Sequence, residues 1–141
     1  MGSIPLHYVD LRAFSYVTEE EARVERALRT VLPEEFPIDR AESTGHHGDR
    51  IVVLSARVEK ADDVRVVLDR VRGIDGIDAV REELDGRVTE DCELYLTFDK
   101  AAAYRGVVRL GDGITFRAKV EAYPAKRETA IENARELMGA G

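Results

Sequence analysis

Hydrophobic residues alternate with polar ones in some segments of this chain and recur every three or four positions in others. Alternation and β-branched runs predict strands, and they cover residues 4–17, 51–58, 92–98 and 114–122. A spacing of three and four predicts amphipathic helices, and it covers residues 24–32, 64–71, 78–84 and 130–138. We expect the first strand to be covered on both faces, because apolar or aromatic residues occupy both sides of its alternation.

Local signals predict how some of these elements begin and end. Thr18 and Glu21 have the spacing of a capping box, in which both side chains bond to amides at a helix start. Gly73 is a plausible C-terminal stop for the second helix. The polar residues 34–49 predict a loop with at most a short strand at 38–42.

The order of elements is strand, helix, strand, two helices, three strands and a final helix. Such mixing predicts an α+β fold, with helices packed on one face of a mainly antiparallel sheet. The 141 residues are enough for one hydrophobic core and too few for two ordinary domains. We therefore expect a single domain over residues 1–141.

Charge is distributed unevenly along the chain. The formal net charge is −7, yet residues 100–127 carry seven basic and two acidic side chains, whereas residues 1–99 carry 13 basic and 23 acidic ones. This asymmetry predicts an acidic, well-solvated body with one basic strip.

The basic strip is the first candidate for function. Gly111-Asp112-Gly113 separates residues 107–110 from 114–122, and these glycines favour a β-hairpin. Alternation along its second strand places Arg117 and Lys119 on the exposed face. Further cations that could extend the strip are Lys100, Arg105, Arg109, Lys126 and Arg127, with Tyr104 or Tyr123 as a stacking ring. Phosphates and unpaired bases suit such a surface. The alternative is that exposed cations on the strand have no ligand and only prevent edge-to-edge aggregation.

Other polar residues give weaker signals. His46 and His47 lie between two glycines, where they could make hydrogen bonds or face a phosphate, but no third histidine or cysteine nearby completes a metal site. Cys92 falls on the apolar side of its strand and is expected in the core. The sequence has no phosphate-binding loop, nucleophile elbow or zinc-protease helix. We therefore predict no catalytic residue, no metal and no cofactor.

The sequence also bears on location. No apolar run approaches the roughly 20 residues that cross a bilayer, and the first residues do not resemble a secretory leader. One cysteine allows no internal disulfide. We expect a cytoplasmic protein without membrane contact.

Four segments form a recognisable set: Phe98-Asp99-Lys100-Ala101-Ala102-Ala103-Tyr104-Arg105-Gly106, Ala122-Tyr123-Pro124-Ala125-Lys126-Arg127-Glu128, the opening His7-Tyr8-Val9-Asp10-Leu11-Arg12, and Glu42 to Gly48. Together they resemble the archaeal RNA-binding proteins often described as predicted exosome subunits, over nearly the whole chain. The resemblance implies a fold related to the ribosomal protein that binds 5S ribosomal RNA, and a non-enzymatic role with RNA. It implies binding positions at Lys100, Tyr104, Arg105, Lys126 and Arg127, with His46 and His47 added.

Two functions follow as hypotheses. The first is an RNA-binding accessory of the exosome or another RNA-processing assembly. The alternative is a protein-interaction adaptor on an RNA-processing or ribosomal complex, in which the strip docks an acidic protein surface without touching RNA. A small-molecule enzyme built on the His46-His47 loop comes third, since it would require an enclosed pocket there. The sequence leaves a homodimer open.

Overall fold

The computed structural model describes residues 6–45 and 48–139. Its five strands are β1 (Leu6–Ser15), β2 (Asp39–Thr44), β3 (Arg50–Val58), β4 (Glu93–Asp99) and β5 (Gly113–Val120). They form one antiparallel sheet in the order β2-β3-β1-β5-β4. Its helices are α1 (Glu21–Val31), α2 (Ala61–Arg72), α3 (Ile77–Glu82), α4 (Leu84–Arg87), α5 (Lys100–Tyr104) and α6 (Arg127–Gly139). The predicted α+β class is confirmed.

One face of the sheet is apolar because alternate residues of each strand point to the same side. Buried residues such as Leu11, Leu54 and Phe116 occupy this side and join the buried stripes of the long helices in one hydrophobic cluster. Phe98 and Phe116 meet edge to face at its centre, with ring centroids 5.8 Å apart. The helices therefore cover one face of the sheet, as the sequence predicted.

Within the described residues the opposite face of the sheet is open, and the prediction that β1 is covered on both faces is wrong. The β1 side chains on this face include Tyr8 and Phe14, which are half-buried, and Arg12, which is exposed. We call this surface the open face; it comprises Tyr8, Asp10, Arg12 and Phe14 of β1, Val53, Ser55 and Arg57 of β3, Glu93, Tyr95 and Thr97 of β4, and Thr115, Arg117 and Lys119 of β5.

The predicted hairpin of residues 107–110 and 114–122 is wrong. β5 pairs with β1 and β4, while residues 107–110 contribute an isolated bridge from Leu110 to Phe98. The glycines serve close approach instead. A Cβ atom on Gly111 would stand 2.6 Å from the Cβ of Asp99, and one on Gly113 would stand 2.5 Å from the Cβ of Lys100. Their missing side chains let this loop run against the junction of β4 and α5.

The predicted capping box is also wrong. Glu20, rather than Thr18, occupies the N-cap position of α1. The carboxylate of Glu21 instead accepts a hydrogen bond from Arg40 Nε of β2 at 2.7 Å. Arg40 Nη2 donates to the same carboxylate at 3.0 Å, so the pair is bidentate. Side-chain pairing between α1 and β2 therefore replaces the local cap.

Other boundaries moved by smaller amounts. The helix expected over 78–84 is two short helices, α3 and α4, and Gly86 lies inside α4. Gly73 is the C-cap of α2 as predicted. The short strand expected at 38–42 is the longer edge strand β2, all of whose residues are exposed.

Cys92 lies in the core directly before β4, with 5% of its surface exposed, as predicted. Among the described residues, no helix is both long enough and apolar enough to cross a bilayer.

Candidate functional site

Asp10 lies at the centre of an ion-pair network on the open face. The strand register places it opposite Arg57 on one side and Arg117 on the other. Arg57 donates from Nε and Nη2 at 2.8 and 2.7 Å, and Arg117 donates from Nη2 at 2.8 Å. The Nε atom of Arg117 also lies 3.3 Å from Glu93. One carboxylate therefore orients two guanidinium groups across three strands.

These contacts also set the ionisation of Asp10. Burial acting alone would raise the pKa of this carboxyl, but the hydrogen bonds from Arg57 and Arg117 outweigh burial and hold the pKa below its ordinary value. Asp10 is therefore negatively charged at neutral pH, which keeps both arginines in place.

Aromatic rings stand beside these cations. The guanidinium carbon of Arg57 is 4.0 Å from the ring centroid of Tyr8, and the Tyr8 hydroxyl donates to Glu93 at 3.0 Å. Tyr95, the cross-strand neighbour of Arg117, is 37% exposed. Rings and guanidinium planes are the surfaces on which unpaired bases stack.

A second cationic group lies where α1 meets α5. We call it the Tyr104 surface; it comprises Arg23, Arg26, Lys100, Tyr104 and Arg105. The guanidinium carbons of Arg23 and Arg26 are 5.3 and 5.2 Å from the Tyr104 ring centroid. A cavity of about 360 Å³ opens between the two helices at this point. Two arginines of α1 thus lie at a ring that α5 supplies from a distant part of the chain.

Part of the charge on the Tyr104 surface is neutralised. Arg23 pairs with Glu20, and Lys100 lies 2.8 Å from a carboxylate oxygen of Glu19. Within the described part of the chain, Arg26 and Arg105 take part in no such ion pair, and both are exposed. The surface therefore keeps an excess of positive charge toward solvent.

Asp99 fixes the position of α5. Its side chain accepts a hydrogen bond from the Ala102 backbone amide at 3.1 Å, and Arg109 Nη2 donates to it at 3.1 Å. The bond from Ala102, followed by that from Arg109, holds the pKa of this carboxyl below its ordinary value. Asp99 is a true N-cap, so the helix that presents Tyr104 begins at a defined residue.

Lys100 connects the two groups. Its Nζ donates to the Phe14 carbonyl at 2.9 Å and stands 5.4 Å from the Tyr16 ring centroid. The rings of Phe14 and Tyr16 are 6.3 Å apart, and the Arg12 guanidinium is 5.6 Å from the Phe14 centroid. A line of contacts therefore runs from the open face, along the end of β1, to the Tyr104 surface.

The remaining predicted cations are not gathered at one place. Arg109 is beside Asp99 at the end of β4, whereas Arg127 donates to the carbonyls of Val88, at 2.9 Å, and of Asp85, near the start of β4. The seven residues of β4 span roughly 20 Å. Residues 100–127 therefore do not form one continuous strip, and that expectation was wrong.

The other predicted binding residues also lie in different parts of the molecule. Lys119 donates to the carbonyl of Asp91 from the open face, and Lys126 is exposed just before α6. His46 and His47 lie outside the described residues. In residues 6–45 and 48–139, no group of three His, Cys, Asp or Glu side chains has the arrangement of a metal site.

Sequence reasoning missed four arginines that complete these groups: Arg12, Arg23, Arg26 and Arg57. Counting charge along the chain favoured residues 100–127, but these four belong to segments that meet that region only in the folded chain. Alternation in β1 and β3 did carry a signal for Arg12 and Arg57, since both fall opposite the buried positions.

Comparisons with known proteins identify a family and several relatives of this chain. Residues 8–120 match a protein-family model described as RNA binding. The chain is 31% identical to the RNA-binding protein PAB1135 of Pyrococcus abyssi, across 97% of this chain and 96% of the relative. Among solved structures, it is similar to protein AF2318 of Archaeoglobus fulgidus, with a TM-score of 0.85 and 30% identity over 94% of this chain and 99% of that one. It is also similar to Mth689 of Methanothermobacter thermautotrophicus, with a TM-score of 0.77 and 35% identity over 94% and 98% of the two chains. Both structures are described as DUF54 proteins.

Proposed function

This chain belongs to the archaeal RNA-binding family whose model matches residues 8–120, and on that premise we propose that it binds RNA through the Tyr104 surface. The observation that carries the proposal is the approach of Arg23 and Arg26 of α1 to the Tyr104 ring of α5, which is followed by Arg105 at the C-cap of that helix. Arg26 and Arg105 are exposed, and the cations of this surface outnumber Glu19 and Glu20, which pair with Lys100 and Arg23. Phosphate oxygens gain charge-assisted hydrogen bonds from such groups.

The remaining predicted residues take different parts in this proposal. Arg117 and Lys119 add positive charge on the open face. Arg109 is engaged by Asp99, and Arg127 by backbone carbonyls, so we assign both a structural role. Binding roles for Lys126, His46 and His47 stay predictions.

The finer part of the proposal concerns the cellular role. We infer that the protein acts without catalysis, as an accessory of the exosome or another RNA-processing assembly. The formal net charge of −7 supports this, because the acidic surface away from the two cationic groups repels RNA and is left to protein neighbours. The adaptor hypothesis, in which RNA makes no direct contact, is the rival reading.

Charge reversal tests the RNA site. The Arg26→Glu/Arg105→Glu variant should bind a labelled single-stranded RNA at least about tenfold more weakly at low salt, because phosphate contacts supply most of the affinity. Fluorescence anisotropy measures the affinity. The Lys60→Glu/Arg135→Glu variant is the matched control, since it makes the same change in net charge at two exposed positions, the N-cap of α2 and the middle of α6.

Comparison of the RNA affinities of the two variants decides whether the site is specific. Equal losses in both would mean that only overall charge matters, and the Tyr104 surface would lose its assignment. No binding by the unmodified protein at any salt concentration would overturn RNA binding itself.

Affinity capture from native lysate tests the cellular role. Exosome subunits that appear with the tagged protein and disappear after ribonuclease treatment support an RNA-bridged accessory. Partners that persist after ribonuclease, together with an absence of RNA in the untreated sample, would favour the protein adaptor.

A further inference from the structure

A cleft of about 330 Å³ lies on the open face, away from the Tyr104 surface. Its lining includes Arg12, Arg57, Arg117, Asp39, Ser55 and Thr115. The register explains how they meet: Arg12 has Ser55 as its neighbour on β3 and Thr115 on β5, and Asp39 pairs with Ser55 from β2. The volume falls at the lower end of the range for small-ligand pockets.

The guanidinium groups of the cleft differ in how they are held. Asp10 binds Arg57 with two hydrogen bonds and Arg117 with one, so these two are fixed before any ligand arrives. Arg12 stands over the Phe14 ring and, within the described residues, forms no ion pair. An arriving anion therefore meets one available guanidinium, two residues along β1 from the carboxylate that holds the two ordered ones. Because those two are already ordered, the cost in side-chain entropy is reduced.

Charge in the cleft suits a monoanion. Arg57 and Arg117 are paired with Asp10, and Arg117 also with Glu93, whereas Arg12 forms no ion pair within the described residues, so Arg12 is the guanidinium left to meet an anion. Each phosphodiester of a nucleic acid strand carries one negative charge.

Neutral groups in the cleft suit a base. Tyr95 offers an exposed ring for stacking, and the hydroxyls of Ser55 and Thr115 can donate to or accept from a base edge. A base in a duplex is hidden in its stack, whereas an unpaired base can be turned out onto such a surface.

We propose that this cleft holds one unstacked nucleotide of a single-stranded RNA, with its base against Tyr95 and its phosphodiester at Arg12. The proposal rests on RNA binding at the Tyr104 surface and adds a second, base-contacting site to it. The line of contacts through Phe14, Tyr16 and Lys100 joins the two sites. It supplies rings and an ammonium group along the path that the strand would follow.

A plug variant separates the shape of the cleft from its charge. Ser55→Phe fills the cleft and leaves all three arginines in place, and phenylalanine is favourable in a strand. Ser43→Phe is the matched control, because it makes the same change on exposed β2, outside the cleft. Circular dichroism and thermal unfolding check that both variants are folded.

Fluorescence anisotropy with a labelled single-stranded hexaribonucleotide measures the effect. Ser55→Phe should weaken binding about tenfold, as the loss of one stacked base does, while Ser43→Phe should change it by less than about twofold. Arg12→Gln should also weaken binding and lower the salt dependence. If Ser55→Phe binds as the unmodified protein does while Arg26→Glu/Arg105→Glu fails to bind, the cleft is excluded and the Tyr104 surface stands.

Nuclear magnetic resonance titration with single nucleotides gives an independent readout. Each ribonucleoside 5′-monophosphate should shift the resonances of Tyr95 and Arg12 in the unmodified protein but not in Ser55→Phe, and inorganic phosphate should shift Arg12 alone. Absence of nucleotide shifts would overturn the proposal, whether or not the hexamer binds. Shifts caused by an oligoglutamate peptide and not by nucleotides would also overturn it, in favour of an acidic protein ligand.

Discussion

Thr30 Oγ1 donates a hydrogen bond to the backbone carbonyl of Ala103 at 2.6 Å, which ties α1 to α5. The same two helices supply the cations of the Tyr104 surface. We predict that Thr30→Val, which keeps the shape of the side chain, lowers the free energy of unfolding by about 1 kcal/mol. Urea denaturation measures the loss. Thr30→Ser keeps the hydroxyl and should retain most of the stability; a valine variant as stable as the parent would contradict the prediction.

Gly111 tests the close approach at the start of α5. An alanine here would bring its Cβ to 2.6 Å from the Asp99 Cβ and 2.9 Å from its Cα, so backbone must move. We expect Gly111→Ala to destabilise the protein by about 2 kcal/mol. Gly86→Ala is the control, because nothing lies within 4 Å of the added atom and alanine favours a helix. The midpoint temperature of thermal unfolding should fall in Gly111→Ala and rise in Gly86→Ala.

Removing the charge of Asp10 should weaken the sheet. Asp10→Asn leaves Arg57 and Arg117 without their shared carboxylate, so we expect a loss of about 1–3 kcal/mol in the free energy of unfolding at neutral pH. Asp69→Asn provides the comparison, since Asp69 is largely exposed and lies 3.7 Å from Arg72. That surface pair should contribute less than about 0.5 kcal/mol. Similar losses in the two variants would mean that the open-face network adds no special stability.

Acid should remove the same contribution from the unmodified protein. Because the pKa of Asp10 is lower in the folded state than its ordinary value of 3.8, its stabilising effect is fully present above that value. The effect is lost as pH falls through the lower, folded pKa. The stability difference between the parent and Asp10→Asn should therefore shrink below about pH 4. Urea denaturation over a pH series checks this, and a difference that stayed constant would count against the assignment.

RNA affinity should fall as salt rises. If Arg26 and Arg105 each neutralise a phosphate of a single strand, the slope of log affinity against log salt should become shallower by about 1.4, roughly 0.7 for each contact, in the Arg26→Glu/Arg105→Glu variant. Anisotropy titrations at several potassium chloride concentrations give both slopes. An unchanged slope with a weaker affinity would place the phosphates elsewhere.

The elements that the sequence predicted well depend on local spacing. The stripe of Val24, Ala27, Leu28 and Val31 on α1 and the alternation of β4 were predicted correctly, because such patterns need no knowledge of neighbours. The hairpin predicted at Gly111-Asp112-Gly113 was wrong, because these glycines allow close contact with Asp99 and Lys100 and do not form the turn of a hairpin.

The candidate sites were predicted in part for a similar reason. Alternation placed Arg117 correctly on the exposed side of its strand, and the resemblance pointed to Tyr104. The partners of these residues depend on the strand order β3-β1-β5 and on the packing of α1 against α5. Neither is encoded in a local pattern, so the contact of Arg57 with Asp10 and that of Arg26 with Tyr104 became visible only in the folded chain.

Cys92 has a practical consequence for all these measurements. As the single cysteine of the chain, and one enclosed by the core, it should resist thiol reagents until the molecule unfolds around β4. The rate of its alkylation would then report transient opening of that region. A cysteine introduced at an exposed position could carry a fluorescent dye without removal of the native thiol.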